Sequence, residues 1–238
     1  MGENDVVVRR GEAISSGSGP IIVATRNDDL DSVIEATPRK RRPDLVFIQN
    51  GMLQPFLDER GLSDNTQVLV YFAVAKRGDA PQDGGLTQAH GPHAAAFAER
   101  MTSHGISCSL PDRPQFRQSM LEKLVWICAY MLVGARHKTN VGGVERQHRA
   151  EVDALVTELA GAGAAELGIE PAAGGAPLPE RLAEYSRSVS VFPTAVKEFV
   201  WRNGWFWSLS SRRLAEGRPD PCPRHTALLK EVAPELVT

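Results

Sequence analysis

The run IIVATRNDDLDSVIEAT, Ile21–Thr37, decides the fold. Its first five residues are apolar or β-branched and follow Pro20, as a buried strand requires. The remainder, NDDLDSVIEAT, changes period. Asn27 or Asp28 can cap a helix, acidic residues fill its first turn, and Leu30, Val33 and Ile34 share one face. Working outward, Leu45–Gln49 and Gln67–Ala75 read as further strands, and Val6–Val8 as one that precedes them. Ala94–His104 reads as a helix and Ile106–Leu110 as a strand. Strand–helix–strand alternation predicts an α/β unit with a mainly parallel sheet.

The second half has a different pattern. From Gln115 to about Ala135, the residues Phe116, Met120, Leu121, Leu124, Ile127, Cys128, Met131 and Leu132 recur at steps of three and four, which predicts a long helix. Val144 to about Leu159 predicts a second helix. The stretch Gly161–Glu180, rich in Ala, Gly and Pro, reads as a flexible connection at its centre. Pro193 can start another helix and Asn203-Gly204 can end it. Trp205–Ala215 reads as a helix closed by Gly217 and Pro219, and Pro223 opens a last short one. The chain thus divides into an α/β part over residues 1–112 and an all-helical part over 113–238.

The 238 residues suffice for two modest cores, and their formal net charge is −2. That balance argues against a nucleic-acid or membrane-surface partner, which calls for a basic excess. No apolar run approaches the roughly 18–20 residues needed to span a bilayer. The N-terminus carries neither a basic, Arg/Ser-rich leader nor an apolar signal stretch. Cys108, Cys128 and Cys222 are far apart and odd in number, so they suggest neither a disulfide framework nor zinc spacing; a reducing, cytoplasmic compartment is expected. His90 and His93 in AHGPH read as turn or strand-end residues, and no metal is expected.

A dinucleotide-binding half opens strand, Gly-rich turn, helix, so that backbone N–H groups meet the pyrophosphate. Gly17-Ser18-Gly19-Pro20 leads into a strand instead, which fails that context. The sheet therefore reads as an incomplete Rossmann-type sheet lacking its first strand and Gly-rich turn. DVVVRR looks like the second strand of such a fold, with Arg9 and Arg10 at the end where a 2′-phosphate would be met; two solvated arginines are the alternative. PRKRRP, Pro38–Pro43, reads as a solvated loop.

With this layout, several motifs resemble the ketopantoate reductase-like family of the 6-phosphogluconate-dehydrogenase-like superfamily. LVFIQNGM resembles that family's strand followed by Gln-Asn-Gly, and IIVATRNDDL resembles its preceding strand, whose terminal Lys facing the cofactor is here Arg26. LEKLVWICAY resembles the first helix of its helical domain, which puts the catalytic Lys on Lys123. YSRSVSVFPTAVKEFVWRNG resembles its Ser…Glu…Asn-Gly stretch, with Ser falling on Ser186 and Glu on Glu198. PTAVKEFVWRNGWF and GRPDPCPRHTALL are similar to plant and algal relatives of unassigned activity.

The resemblance implies NADPH-dependent reduction of a 2-keto acid or related carbonyl. It implies catalytic Lys123 and Glu198, substrate-binding Asn50 and Ser186, and cofactor-binding Arg9, Arg10, Arg26 and Asn50, and it admits a homodimer. Hydride arrival builds charge on oxygen that an ammonium can stabilise and then protonate. Two departures qualify this. The missing Gly-rich turn makes NADP binding weak or lost if the chain is complete. Ile127 and Met131 stand where the family carries substrate-binding Asn, which leaves a more apolar pocket. The alternatives are a catalytically inactive relative acting as a binding or dimerisation module, and a misassigned start with the fingerprint upstream.

Taken alone, Lys123 reads as a snorkelling residue at the edge of an apolar stripe. Glu198 reads as a solvated carboxylate on a helix burying Ala195, Phe199 and Val200. Asn50-Gly51 reads as a turn at a strand end, where α/β sheets also bind ligands. Ser186 has Ser188 and Ser190 as equally plausible neighbours. Tyr185 and Trp126 are expected in the core.

Overall fold

The computed structural model describes residues 5–73, 81–170 and 175–237. The chain forms two compact units, Met1–Gln49 with Gln54–Pro111, and Asn50–Leu53 with Asp112–Thr238.

In the first unit, β1 (Ile21–Val23) leads through a 3-10 turn at Asn27–Asp29 into α1 (Leu30–Ala36). A further 3-10 stretch, Arg39–Asp44, precedes β2 (Leu45–Phe47). Then come α2 (Gln54–Glu59), β3 (Thr66–Leu69), β4 (Phe72–Ala73), β5 (Gln82–Asp83), β6 (Gln88–His90) and α3 (Ala94–Thr102). The main sheet has the order β1-β2-β3-β6. Its first two pairings are parallel, with Ile21 opposite Leu45 and Val46 opposite Thr66. β6 runs antiparallel to β3, with Val68 opposite Ala89. β2 is buried along its whole length, as a central parallel strand covered on both faces must be. Val46, Val68, Ala89, Ala94 and Phe97 form the core between sheet and α3. Gln49 fixes the strand ends by donating from Nε2 to the carbonyls of Val23 at 2.8 Å and Thr25 at 3.2 Å.

Several expectations change here. Val6–Val8 is no strand: Val6 is 84% exposed, and these residues have no sheet pairing. The Gln67–Ala75 strand breaks after Leu69, and its Val74 and Ala75 lie outside the described residues. Ile106–Leu110 reduces to a single parallel bridge between Ser109 and Gln88. Pro111, lacking an N–H, cannot extend that ladder. In PRKRRP, Arg41 is buried rather than solvated. It donates to the Asp44 carboxylate (2.6 Å) and to the carbonyls of Ser15 (2.9 Å) and Gly19 (2.8 Å), pinning the segment that enters β1. Arg41→Met is expected to lower the unfolding free energy by about 2 kcal/mol through these lost charged hydrogen bonds, measured by urea denaturation.

The second unit is built on α4 (Arg113–His137), capped by Asp112 accepting from the Gln115 N–H at 2.9 Å and ended by left-handed Lys138. Around it lie α5 (Val141–Gln147), α6 (Arg149–Leu167), α7 (Leu178–Ser188), α8 (Asn203–Ala215) and α9 (Pro223–Val232). Every residue of α4 from Lys123 to Tyr130 is buried, so α4 is a central helix and not an amphipathic one.

The single helix expected over Val144–Leu159 is two helices, broken at His148 (φ −126°, ψ 27°). The Ala/Gly stretch is helical as far as Leu167. A Cβ at Gly163 would lie 2.5 Å from Leu121 Cδ1, so that glycine serves close packing of α6 on α4. No helix starts at Pro193. The carbonyls of Ser190 and Phe192 are taken by the N–H groups of Gly142 and Val141, which start α5. Asn203-Gly204 therefore opens α8 instead of ending a helix. The sheet and helices together make an incomplete Rossmann-like unit plus a helical unit.

Candidate functional site

Lys123 is 7% exposed in the middle of α4. Burial, and secondarily the Arg202 guanidinium, lower its pKa to about 7. An ammonium among Met120, Leu124 and Ile127 loses hydration, and a like charge compounds the cost. Arg202 follows a single 3-10 turn, Phe199–Trp201, and pairs with Glu198. Glu198 itself adopts a left-handed conformation, φ 47°, at the start of the turn. Glu198 is thus not on a helix, and Val200, expected in the core, is 74% exposed.

The residue before Arg202 anchors the Asn50–Leu53 segment of the same unit. The Met52 N–H donates to the Trp201 carbonyl at 2.7 Å. A Cβ on Gly51, whose φ is +109°, would stand 2.5 Å from that same oxygen. The second unit therefore links Lys123, Arg202, Glu198 and Asn50-Gly51-Met52, with Asn50 half-buried. Arg202 went unrecognised in the sequence. Its only signal was the i, i+4 spacing to Glu198 within KEFVWRNG.

Ser186 is fully buried. Its hydroxyl donates to the Leu182 carbonyl at 2.7 Å and accepts from Trp126 Nε1 at 2.8 Å. The structure turns it inward, where it orients Trp126. Trp126 is buried, as expected, and meets Tyr185 edge-on at 4.8 Å, whereas Tyr185, also expected in the core, is half-buried. Ile127 is buried and Met131 half-buried, so the positions beyond Lys123 on α4 are apolar. Burial also pushes the Cys128 thiol up, which keeps it protonated and inert. Asn203 is occupied inside the unit, its Oδ1 standing 2.9 Å from Nε2 of fully buried His225.

The remaining candidates belong to the first unit. Arg10, 85% exposed, pairs with Asp29 at 2.9 Å. The Arg9 backbone N–H donates to Glu12, and Arg26 is exposed before the first 3-10 turn. His90 Nδ1 lies 3.1 Å from the Pro111 carbonyl, and His93 Nε2 lies 3.1 Å from Asp44.

A dinucleotide needs a pyrophosphate cradle, and the described residues do not offer one. Gly17–Pro20 runs into β1, with the Gly19 carbonyl held by Arg41. The turn from β1 to α1 contains no glycine, and Asp28, Asp29 and Asp31 stand where phosphate would meet the helix start. Such carboxylates repel an anion that the bare helix end would attract.

The second unit also has a cleft of about 680 Å³, lined among others by Gly134, Lys138, Thr139, Thr194, Ala233 and Glu235. Gly134 lies on α4 roughly 16 Å beyond Lys123 at 1.5 Å per residue, so this hollow is separate from the lysine.

No protein-family model and no curated protein sequence matches this chain. Solved structures do match in fold. A D-mandelate dehydrogenase with NADH and anilino(oxo)acetate superposes with TM-score 0.63 at 15% identity, over 94% of this chain and 79% of that one. A ketopantoate reductase from Ralstonia eutropha JMP134 gives TM-score 0.63 at 18% identity, over 93% and 76%. A dimeric ketopantoate reductase from Staphylococcus aureus gives 0.57 at 17%, over 87% and 75%. The chain therefore shares the fold of the ketopantoate reductases and of D-mandelate dehydrogenase, a keto-acid reductase-like fold.

Proposed function

We propose that this chain is a ketopantoate reductase-like protein whose helical unit binds a 2-keto acid or related small carbonyl compound, with Lys123 meeting the carbonyl oxygen. The observation that carries this reading is the buried Lys123 with its pKa near 7 and Arg202 beside it. An amine and ammonium in comparable amounts at neutral pH are suited to giving a proton to a developing alkoxide. Arg202 offers a permanent cation for the carboxylate of the same ligand, in competition with Glu198. Ile127 and Met131 favour an apolar chain over a hydroxyl-rich one, so ketopantoate itself is disfavoured. In the fold's enzymes a nicotinamide would be the reductant, with NADP expected from the resemblance. The described residues offer no pyrophosphate cradle, and the roles of Lys123 and Arg202 concern the carbonyl ligand.

The carboxylates of Asp28, Asp29 and Asp31 at the start of α1 favour a second reading, a relative that binds the carbonyl compound without reducing it. Titrating the purified chain with NADPH, NADH and a series of 2-keto acids separates the readings. Cofactor binding with turnover that Lys123→Ala abolishes, at unchanged cofactor affinity, supports the reductase. Keto-acid binding lost in Arg202→Gln, without cofactor binding at millimolar concentration, supports the binding module. If a folded chain binds neither ligand, both readings fail.

A further inference from the structure

We propose that His137, His148 and Glu151 form a binding site for a divalent transition metal of the zinc class, away from Lys123. The three come from different places in the helical unit. His137 is the last residue of α4, His148 sits at the break between α5 and α6, and Glu151 lies in the first turn of α6. One ligand atom from each lies within 4.8 Å of the others. His137 Nε2 is 2.7 Å from Glu151 Oε2, and the two imidazole rings stack with centroids 3.6 Å apart and planes at 9°.

Local structure explains the convergence. His148 is the N-cap of α6 and Glu151 lies three residues on in its first turn, so the two side chains meet at the helix start. The break at His148 ends α5 and turns its ring toward α4. Two imidazoles and a carboxylate are a donor set that zinc accepts, with a further position open to water or a ligand. The same set suits cobalt and nickel and is poor for calcium or magnesium, which prefer oxygen.

The carboxylate is also oriented from outside. Arg136 donates to Glu151 Oε1 at 2.6 Å, leaving Oε2 toward the histidines. The Arg136 charge, which would oppose a cation, is itself met by Glu231 at 3.0 Å. Such outer-shell partners fix a ligand's direction. Binding requires some movement. Ligand atoms around a tetrahedral zinc stand about 3.4 Å apart given bonds of ~2.1 Å, so the 2.7 Å His137–Glu151 pair opens, the wider separations close and the parallel rings splay. A bound ion would tie the end of α4 to the α5–α6 junction.

The test uses the full chain stripped with a chelator and titrated with zinc, read by calorimetry and by thermal midpoint, with cobalt absorption as a report of nitrogen ligation. The expected result is a single saturable site and a raised midpoint that chelator reverses. His148→Ala and the bulkier His148→Gln should each weaken binding by more than about a hundredfold, beyond what losing an outer-shell partner costs. His104→Ala and Cys108→Ser should leave it unchanged. Absence of saturable binding, or wild-type affinity in both His148 variants while circular dichroism shows them folded, would overturn the assignment.

Discussion

Lys123→Met is expected to stabilise the folded chain at pH 7 by about 4 kcal/mol while abolishing carbonyl binding. Burial first, and then Arg202, bring this lysine from 10.5 to about 7 in the folded chain. Folding at neutral pH therefore either buries a charge or gives up a proton that the unfolded chain keeps. Between about pH 7 and 10.5 the unfolded state binds the extra proton, so stability rises with pH across this window. Below pH 7 both states are protonated, and the cost is present in full. Methionine keeps the length of the stem and removes the charge, a volume-conserving exchange that cores tolerate. Urea denaturation near pH 7 and near pH 10 checks both parts. The wild type should gain stability between the two conditions and Lys123→Met should not. A variant less stable than wild type at pH 7 would show that the ammonium is compensated, and Lys123 would then be a structural charge. A stabilising change that removes function is the expected signature of a group kept for chemistry.

The sequence carried the outline of this site unevenly. Ile21–Thr37 was legible because its period changes where β1 gives way to α1. The length of α4 was legible from its apolar spacing. Its central position was not inferred, although Leu124–Tyr130 is an unbroken apolar run that marks a helix buried on every side. Read as one stripe, it put Lys123 at an edge; read as a run, it puts Lys123 inside. Gly163 shows a limit of composition. A glycine that admits Leu121 and a glycine in a linker are the same letter, and only the partner helix tells them apart. Ser186 was reached by resemblance, and its spacing gives no sign that Trp126, sixty residues earlier, takes its hydroxyl. Glu198, which pairs with Arg202, adopts a left-handed conformation that a glutamate's propensity does not foretell. The His137–His148–Glu151 group depends on a helix break that no glycine or proline announces.

Gly51→Ala is expected to lower the unfolding free energy by about 4 kcal/mol, from strain, overlap and a lost hydrogen bond together. At φ +109° an alanine is strained whatever the space around it. Its Cβ would stand 2.5 Å from the Trp201 carbonyl oxygen and 2.9 Å from Trp201 Cβ. The oxygen belongs to backbone and cannot rotate away, so the two segments must separate, and the Met52 N–H bond to that oxygen goes with them. Gly61→Ala isolates the conformational part. Gly61 also has a positive φ, +66°, but nothing lies within 4 Å of its added Cβ, so about 1 kcal/mol is expected there. The difference between the two variants combines the contact with Trp201 and the greater strain of φ +109° over φ +66°. Equal losses would mean that Gly51 and Met52 are not held on Trp201, and Asn50 would lose its place in the site. A larger loss in Gly51→Ala, with weakened keto-acid binding in the fraction that stays folded, would tie Asn50 to Arg202 through the peptide that carries both Trp201 and the arginine.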